Sequence, residues 1–392
     1  MDTRPQRSWV PRILSGKGTR VFRRPVYIVW LSLLAAGFFA LTFGINRLFA
    51  QKQQQLSRYW FQQAEIALTA GRPNEAISDL RTALLYSHDD PQYLFTLAQA
   101  LEAAGRVPEA RSYFLSLLED EPGNGAFNLE LARLAEKDND VIHAMRYFNG
   151  AIYGAWDPNP VLKRQQVRQE LINYLLAKGL KTQARGELLT LSTEMPKTTE
   201  SELWLATAFS RLDDDRSALD FCKAALRLDR HNPAALLGAG EAAFRLVRYR
   251  EALEYFKRAA SIRNDPATAQ WLQLTSLVLE LNPFESRISA SERRHRLILA
   301  MDIADRRLRQ CAQTQNVLIE QPGNNQLQTA RSQWIQLDNQ IQKAHSDADL
   351  VQLLAPVASL IVNIEQQKAC GPLTLTDQAA LHVNQNAEEL QP

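Results

Sequence analysis

The sequence predicts an all-α chain. One apolar helix stands at the N-terminus, an α-solenoid of about six helix-turn-helix repeats follows, and a small helical bundle closes the chain. Three observations carry this expectation: a charge-free run of 20 residues, a 34-residue period over residues 57–266, and three apolar seams at heptad spacing after residue 290. Composition agrees with it. The 392 residues are 45% hydrophobic and 22% charged, which excludes a disordered chain, a collagen-like chain and a polytopic transporter. Only 16 residues are glycine, which argues against folds that cradle phosphate in glycine-rich loops.

The charge-free run is Val26–Ile45, VYIVWLSLLAAGFFALTFGI. Twenty residues make a helix of about 30 Å, the thickness of a bilayer core. Tyr27 and Trp30 lie near one end, Phe43 and Phe49 near the other, where aromatic rings suit the membrane interfaces. A signal peptide has a shorter apolar region and a small-residue cleavage site, which this run lacks. Residues 1–25 form a basic tail: Arg4, Arg7, Arg12, Lys17, Arg20, Arg23 and Arg24 against one acid, Asp2. Only Arg47, Lys52 and Arg58 follow the span closely. The imbalance keeps the tail in the cytoplasm and places the bulk of the chain outside. In a bacterium this is an inner-membrane protein with its body in the periplasm or at the exterior. Removing the tail's charges leaves 38 basic against 42 acidic residues, so bulk binding to nucleic acid is disfavoured.

The repeats are read from alanines. Ala76, Ala110, Ala144, Ala184, Ala218 and Ala252 are spaced 34, 34, 40, 34 and 34. Twelve residues earlier stand Ala64, Ala98, Ala132, Ile172, Ala206 and Gly240; four residues later stand Leu80, Phe114, Phe148, Leu188, Cys222 and Phe256. Gly71, Gly105 and Gly179 fall where a turn between paired helices needs positive φ. Pro91, Pro122, Pro158, Pro196, Pro233 and Pro266 fall between units. The fourth unit departs, with Ile172 at the small position and Trp156-Asp157-Pro158-Asn159-Pro160 as a rigid bend before it. Cys222 reads as a small core residue. With Trp60, Ala64, Ala76 and Leu80 in unit one, and Leu97-Ala98, Gly105, Ala110, Phe114 and Pro122 in unit two, the pattern resembles the tetratricopeptide-repeat (TPR) family.

That resemblance implies two antiparallel helices per unit and a binding surface lined by the first helix of each pair. The outward positions expected to form a partner-binding groove are Phe61, Glu65, Phe95, Gln99, Glu102, Arg133, Glu136 and Asn173. They lack the Lys/Asn arrangement of chaperone-tail-binding relatives. Phe61 and Phe95 are expected to be apolar anchors, with Glu102 or Glu136 receiving a cation.

Residues 267–290 are expected to hold a capping helix and a loop, residues 291–370 a three-helix bundle, and residues 371–392 a weakly ordered tail with one weak helix within Leu373–Leu390. The bundle seams are Leu297, Met301, Ala304, Leu308, Cys311; then Leu327, Ala330, Trp334, Leu337, Ile341, Ala344; then Leu350, Leu353, Val357, Leu360, Ile364, broken or kinked at Pro356. Ser291 is the expected N-cap. Ser291-Glu292-Arg293-Arg294-His295-Arg296 reads as an exposed helix start, with an anion or lipid-headgroup site as the alternative. In an up-down-up bundle the first and third helices end at one pole, so Cys311 and Cys370 can form a disulfide in an oxidising compartment.

No catalytic constellation is present. The six histidines are isolated, and HExxH, GxSxG, CxxC and phosphate-loop patterns are missing. No cofactor, metal or small-molecule substrate is expected. The expected partner is a protein or peptide, itself at the membrane, and the expected role is a scaffold for secretion, polysaccharide-export or envelope-assembly components. A cytoplasm-facing regulator of inverted topology is the first alternative; an enzyme with its site in the C-terminal bundle is the second.

Overall fold

A computed structural model describes residues 24–263, 265–321, 323, 325–367 and 370–387. The basic tail up to residue 23 lies outside the described residues, as do Pro322 and Asn324 of the expected turn. The described chain is helical throughout, without strands, and divides into two compact units between Trp156 and Asp157. The boundary falls inside the Trp156–Pro160 insertion.

The first unit opens with α1 (Arg24–Thr69), a single helix of 46 residues. From Leu31 to Phe43 its side chains are exposed, whereas Ala64 and Ala67 near its end are buried. The eleven residues 46–56, between the apolar run and the first repeat, are helical. Gln51, Lys52, Gln53, Gln54 and Gln55 are good helix formers and no Gly or Pro interrupts them. The last turns of α1 pair with α2 (Pro73–Tyr86); α3 (Pro91–Ala103) pairs with α4 (Val107–Asp120), and α5 (Gly125–Lys137) with α6 (Val141–Tyr153).

Each pair is built the same way. Asp90 and Asn124 cap α3 and α5, each accepting two backbone N–H bonds at 3.0 and 3.3 Å. Gly71 and Gly105 close their turns at φ of 71° and 79°. The repeated alanines Ala64, Ala76, Ala98, Ala110, Ala132 and Ala144 are all fully buried, with Leu80, Phe114 and Phe148 filling the space beside them. The unit ends on Trp156, whose Nε1 donates to the Ala151 carbonyl at 2.8 Å and whose indole lies over Gly125. A Cβ on Gly125 would sit 2.3 Å from that ring.

The second unit continues with α7 (Pro160–Ala177) and α8 (Lys181–Glu194), α9 (Thr199–Arg211) and α10 (Asp215–Leu228), α11 (Pro233–Arg245) and α12 (Tyr249–Ile262). The six-residue insertion lengthens α7 to 18 residues, against 13 in α9 and α11. Arg168 is buried on α7 and forms ion pairs with Glu194 at 2.7 Å and Glu187 at 3.2 Å on α8. Gly240 is small because the Phe256 ring lies against it, where a Cβ would come within 2.5 Å.

α13 (Pro266–Leu281) packs on α12, and its exposed flank, Ala269, Gln270, Gln273, Ser276 and Glu280, is mostly polar. That flank ends the array as a cap requires. The bundle helices are α14 (Ala290–Gln315), α15 (Gln326–Lys343) and α16 (Asp347–Glu365), and their seams face one another. α16 is long and apolar enough to cross a membrane, but its seam residues Leu350, Val357, Leu360 and Ile364 are buried in the bundle. It runs through Pro356 unbroken, with that ring on its exposed side.

The helix expected within Leu373–Leu390 is α17 (Leu375–Gln385), started by a capping box of Thr374 and Asp377. Ala379, Ala380, Val383 and Asn384 are buried where α17 packs on α13, α14 and α16. Two expectations for this region are corrected. The N-cap of α14 is Ser289, two residues before the expected Ser291, and its Oγ accepts from Glu292 N–H at 3.1 Å. The arginines after it are not an exposed face. Arg293 is buried, bonds Asp347 at 2.8 Å and donates to the Pro283 carbonyl; Arg294 donates to the Ala344 carbonyl; Arg296 donates to the Asn282 carbonyl at 2.8 Å. They fasten two loops, whose carbonyls would otherwise lack donors.

Beside this, Cys311 Sγ and Cys370 Sγ are bonded, with Cα atoms 4.5 Å apart. The closed segment presents the Cys370 and Gly371 carbonyls to Arg307 at 3.0 and 2.8 Å. Arg307 is buried, and its Nε lies 3.8 Å from the buried Glu365 carboxylate. Burial and the nearby Asp377 charge push the Glu365 carboxyl up to about 8, against the pull of Arg307.

Candidate protein-binding face

The first helices of the pairs, α1, α3 and α5, share one side of the first unit. Two residues expected to project from it as anchors do not. Phe61 is 8% exposed, its ring stacked on Tyr93 at 4.6 Å. Phe95 is half-buried, edge-on to Phe114 at 5.6 Å and 5.3 Å from Phe127. Both cross between repeats, because a helix inside a stack buries two flanks and not one. The polar members do reach the surface. Glu65 is exposed, and Gln99, Glu102, Arg133 and Glu136 are half-buried.

These side chains form a ladder between α3 and α5. Gln99 Nε2 donates to Glu130 Oε1 at 3.0 Å, Lys137 Nζ donates to Glu102 Oε1 at 2.6 Å, and Arg133 lies 3.5 Å from Glu130. Glu130 and Lys137 were missed by sequence reasoning. A search for opposite charges one repeat apart would have found the Glu102–Lys137 pair, 35 residues in separation. Asn173 belongs to the second unit, exposed on α7 and accepting from Arg211 Nη1 of α9 at 3.0 Å. The corresponding side of the second unit carries the half-buried Leu203, Trp204, Leu237 and Glu241. Burial raises the Glu241 carboxyl, opposed by Arg245 and a hydrogen bond with Trp271.

The face offers paired charges, an amide and partly covered apolar rings, with neighbouring helices fixing their spacing. Among the described residues no group of three or more His, Cys, Asp or Glu is placed to hold a metal ion. Cys222 is buried and its thiol pushed up to about 12 by that burial, which makes it a packing residue and not a nucleophile.

Stacked helix pairs, with alanines at the close contacts and a polar ladder on the first helices, define an α-helical repeat protein of the interaction class. A tetratricopeptide-repeat family model matches residues 61–124, 95–160 and 203–268. Over these residues the chain carries tetratricopeptide repeats. Solved structures with a similar fold include the C-terminal part of a TPR repeat-containing protein from Cytophaga hutchinsonii, at 13% identity, 56% of this chain, 84% of that chain and a TM-score of 0.43. PilW, a widely conserved type IV pilus biogenesis factor, is similar at 17% identity, with 56% and 97% coverage and a TM-score of 0.39. YrrB, a TPR protein with an unusual peptide-binding site, is similar at 16% identity, with 48% and 95% coverage and a TM-score of 0.38. No curated protein is similar to the chain at the sequence level.

Proposed function

We propose that the protein is a membrane-anchored scaffold that holds a protein or peptide partner on the first-helix face of its repeats, close to the bilayer. The observation that carries this reading is the continuity of α1, one helix from Arg24 to Thr69 that is both the exposed apolar segment and the first helix of the first repeat. A helix without a hinge fixes the height of the binding face. From Ile45 to Glu65 is about 30 Å at 1.5 Å per residue. A partner engaging Glu65, Gln99 or Arg133 at that height is itself a membrane protein or docked on one. This favours secretion, polysaccharide-export or envelope-assembly components over a freely diffusing ligand.

Two features favour an outward-facing body: the basic residues before the span, and the buried Cys311–Cys370 bond, a chemistry of oxidising compartments. A reporter that fluoresces only in the cytoplasm, fused after residue 392, tests it. A dark fusion supports the periplasmic scaffold; a bright one turns the reading to a cytoplasm-facing regulator.

A further inference from the structure

A cavity of about 590 Å³ opens in the second unit between the start of α12 and the loop after α13. Its lining includes Arg248, Arg250, Glu251, Glu285, Arg287 and Tyr249. The charges do not balance. Glu285 is held by two guanidinium groups, Arg250 at 2.5 Å and Arg296 at 3.2 Å. Glu251 is likewise shared, by Lys223 at 2.8 Å and Arg248 at 3.7 Å. Arg296 also has Glu292 at 2.7 Å. Arg287 is exposed and makes no ion pair among the described residues. Among the lining residues three cations, Arg248, Arg250 and Arg287, therefore face two anions, Glu251 and Glu285, and both anions are already engaged.

We propose that this cavity is a second docking site, for an acidic peptide segment of a partner protein, with Arg250 and Arg287 each taking one carboxylate. Arg250 is free to make the exchange. Its side chain is 80% exposed, and Glu285 keeps the less exposed Arg296 when Arg250 turns to a ligand. Separate carboxylates fit better than one phosphate. A phosphate would gather both guanidinium groups around its own double charge beside Glu285, and like charges at that range repel. Leu279 supplies apolar wall for the peptide's chain. The site is independent of the first-helix face, so its failure leaves the scaffold reading standing.

The test uses the full chain in detergent micelles and a fluorescein-labelled hexaglutamate peptide, read by anisotropy at low salt. Hexaglutamine and phosphatidylglycerol vesicles are the controls. The double variant Arg250→Ala with Arg287→Ala is expected to weaken hexaglutamate binding by roughly fivefold or more, since exposed pairs are individually modest. The same variant with Arg→Lys at both positions is expected to recover most of it. Melting is expected to be unchanged, because both side chains are exposed. Two results overturn the proposal: binding unaffected by the double variant, or vesicle binding with the same dependence on Arg250 and Arg287.

Discussion

Val247 holds a φ of 61° in the turn between α11 and α12. The same turn position is filled by Gly71, Gly105, Asn139, Gly179 and Asp213 in the other repeats, all at positive φ. Three of the six positions were legible from their glycines; the other three follow only by adding the repeat length. A β-branched residue is strained there, so Val247→Asn is expected to raise stability by about 1 kcal/mol, read as a higher melting temperature. Phe95 shows the opposite limit. The repeat pattern placed it on the first helix, but not which flank the next repeat covers, since two adjacent positions satisfy the same helical period. Phe95→Ala is expected to cost about 2 kcal/mol by opening space beside Phe114 and Phe127, and chemical denaturation measures it. Glu365 makes stability depend on pH. Its folded value near 8 lies above its unfolded one. The folded state therefore holds the extra proton, and the associated stability is full below the unfolded value and lost as pH rises through about 8. Glu365→Gln is expected to flatten the decline in melting temperature between pH 5 and 9; an identical decline in both proteins contradicts the buried carboxylic acid.

At the scale of elements, the helices that the sequence marks well are those with a long period. The seams of α14, α15 and α16 are continuous over four or more turns, and the alanines of the repeats recur at fixed spacing. α17 was legible only as one weak helix, because 11 residues give too few turns for a seam and it lies among polar residues. Its signal was local: Thr374 three residues before Asp377, the same kind of box that Ser289 and Glu292 suggest for α14. The arginines after Ser289 were misread for another reason. Their partners are loop carbonyls distant in sequence, and no periodicity announces a carbonyl. α17 is delivered to α13 by a segment that Cys370 ties to α14. Thiol labelling of denatured, unreduced protein is expected to count one cysteine, Cys222; a count of three contradicts the bond. The Cys311→Ser, Cys370→Ser chain is expected to lose about 4 kcal/mol for a loop of this length by the chain-entropy model, in the separated unfolding of the second unit.

On the scale of the whole molecule, the architecture follows from one constraint: no helix pair buries its apolar side alone. Stacking answers it within each unit. In the second unit α13 and α17 close the array; in the first, α1 begins the array and continues without a break into its exposed apolar segment. The class of protein was legible because small residues recur wherever helices meet. The binding side was legible only in part, because a surface is defined by what neighbours leave uncovered. The first-helix face is the proposed seat of the partner. Site-specific photo-crosslinking in intact cells tests it directly, with the probe placed at Glu65, Gln99 or Arg133 on that face and at Ser116 or Asn149 on the second helices. A shared protein adduct is expected from the first three positions, recovered with the membrane fraction, and none from the other two. Adducts from Ser116 and Asn149 alone would contradict it.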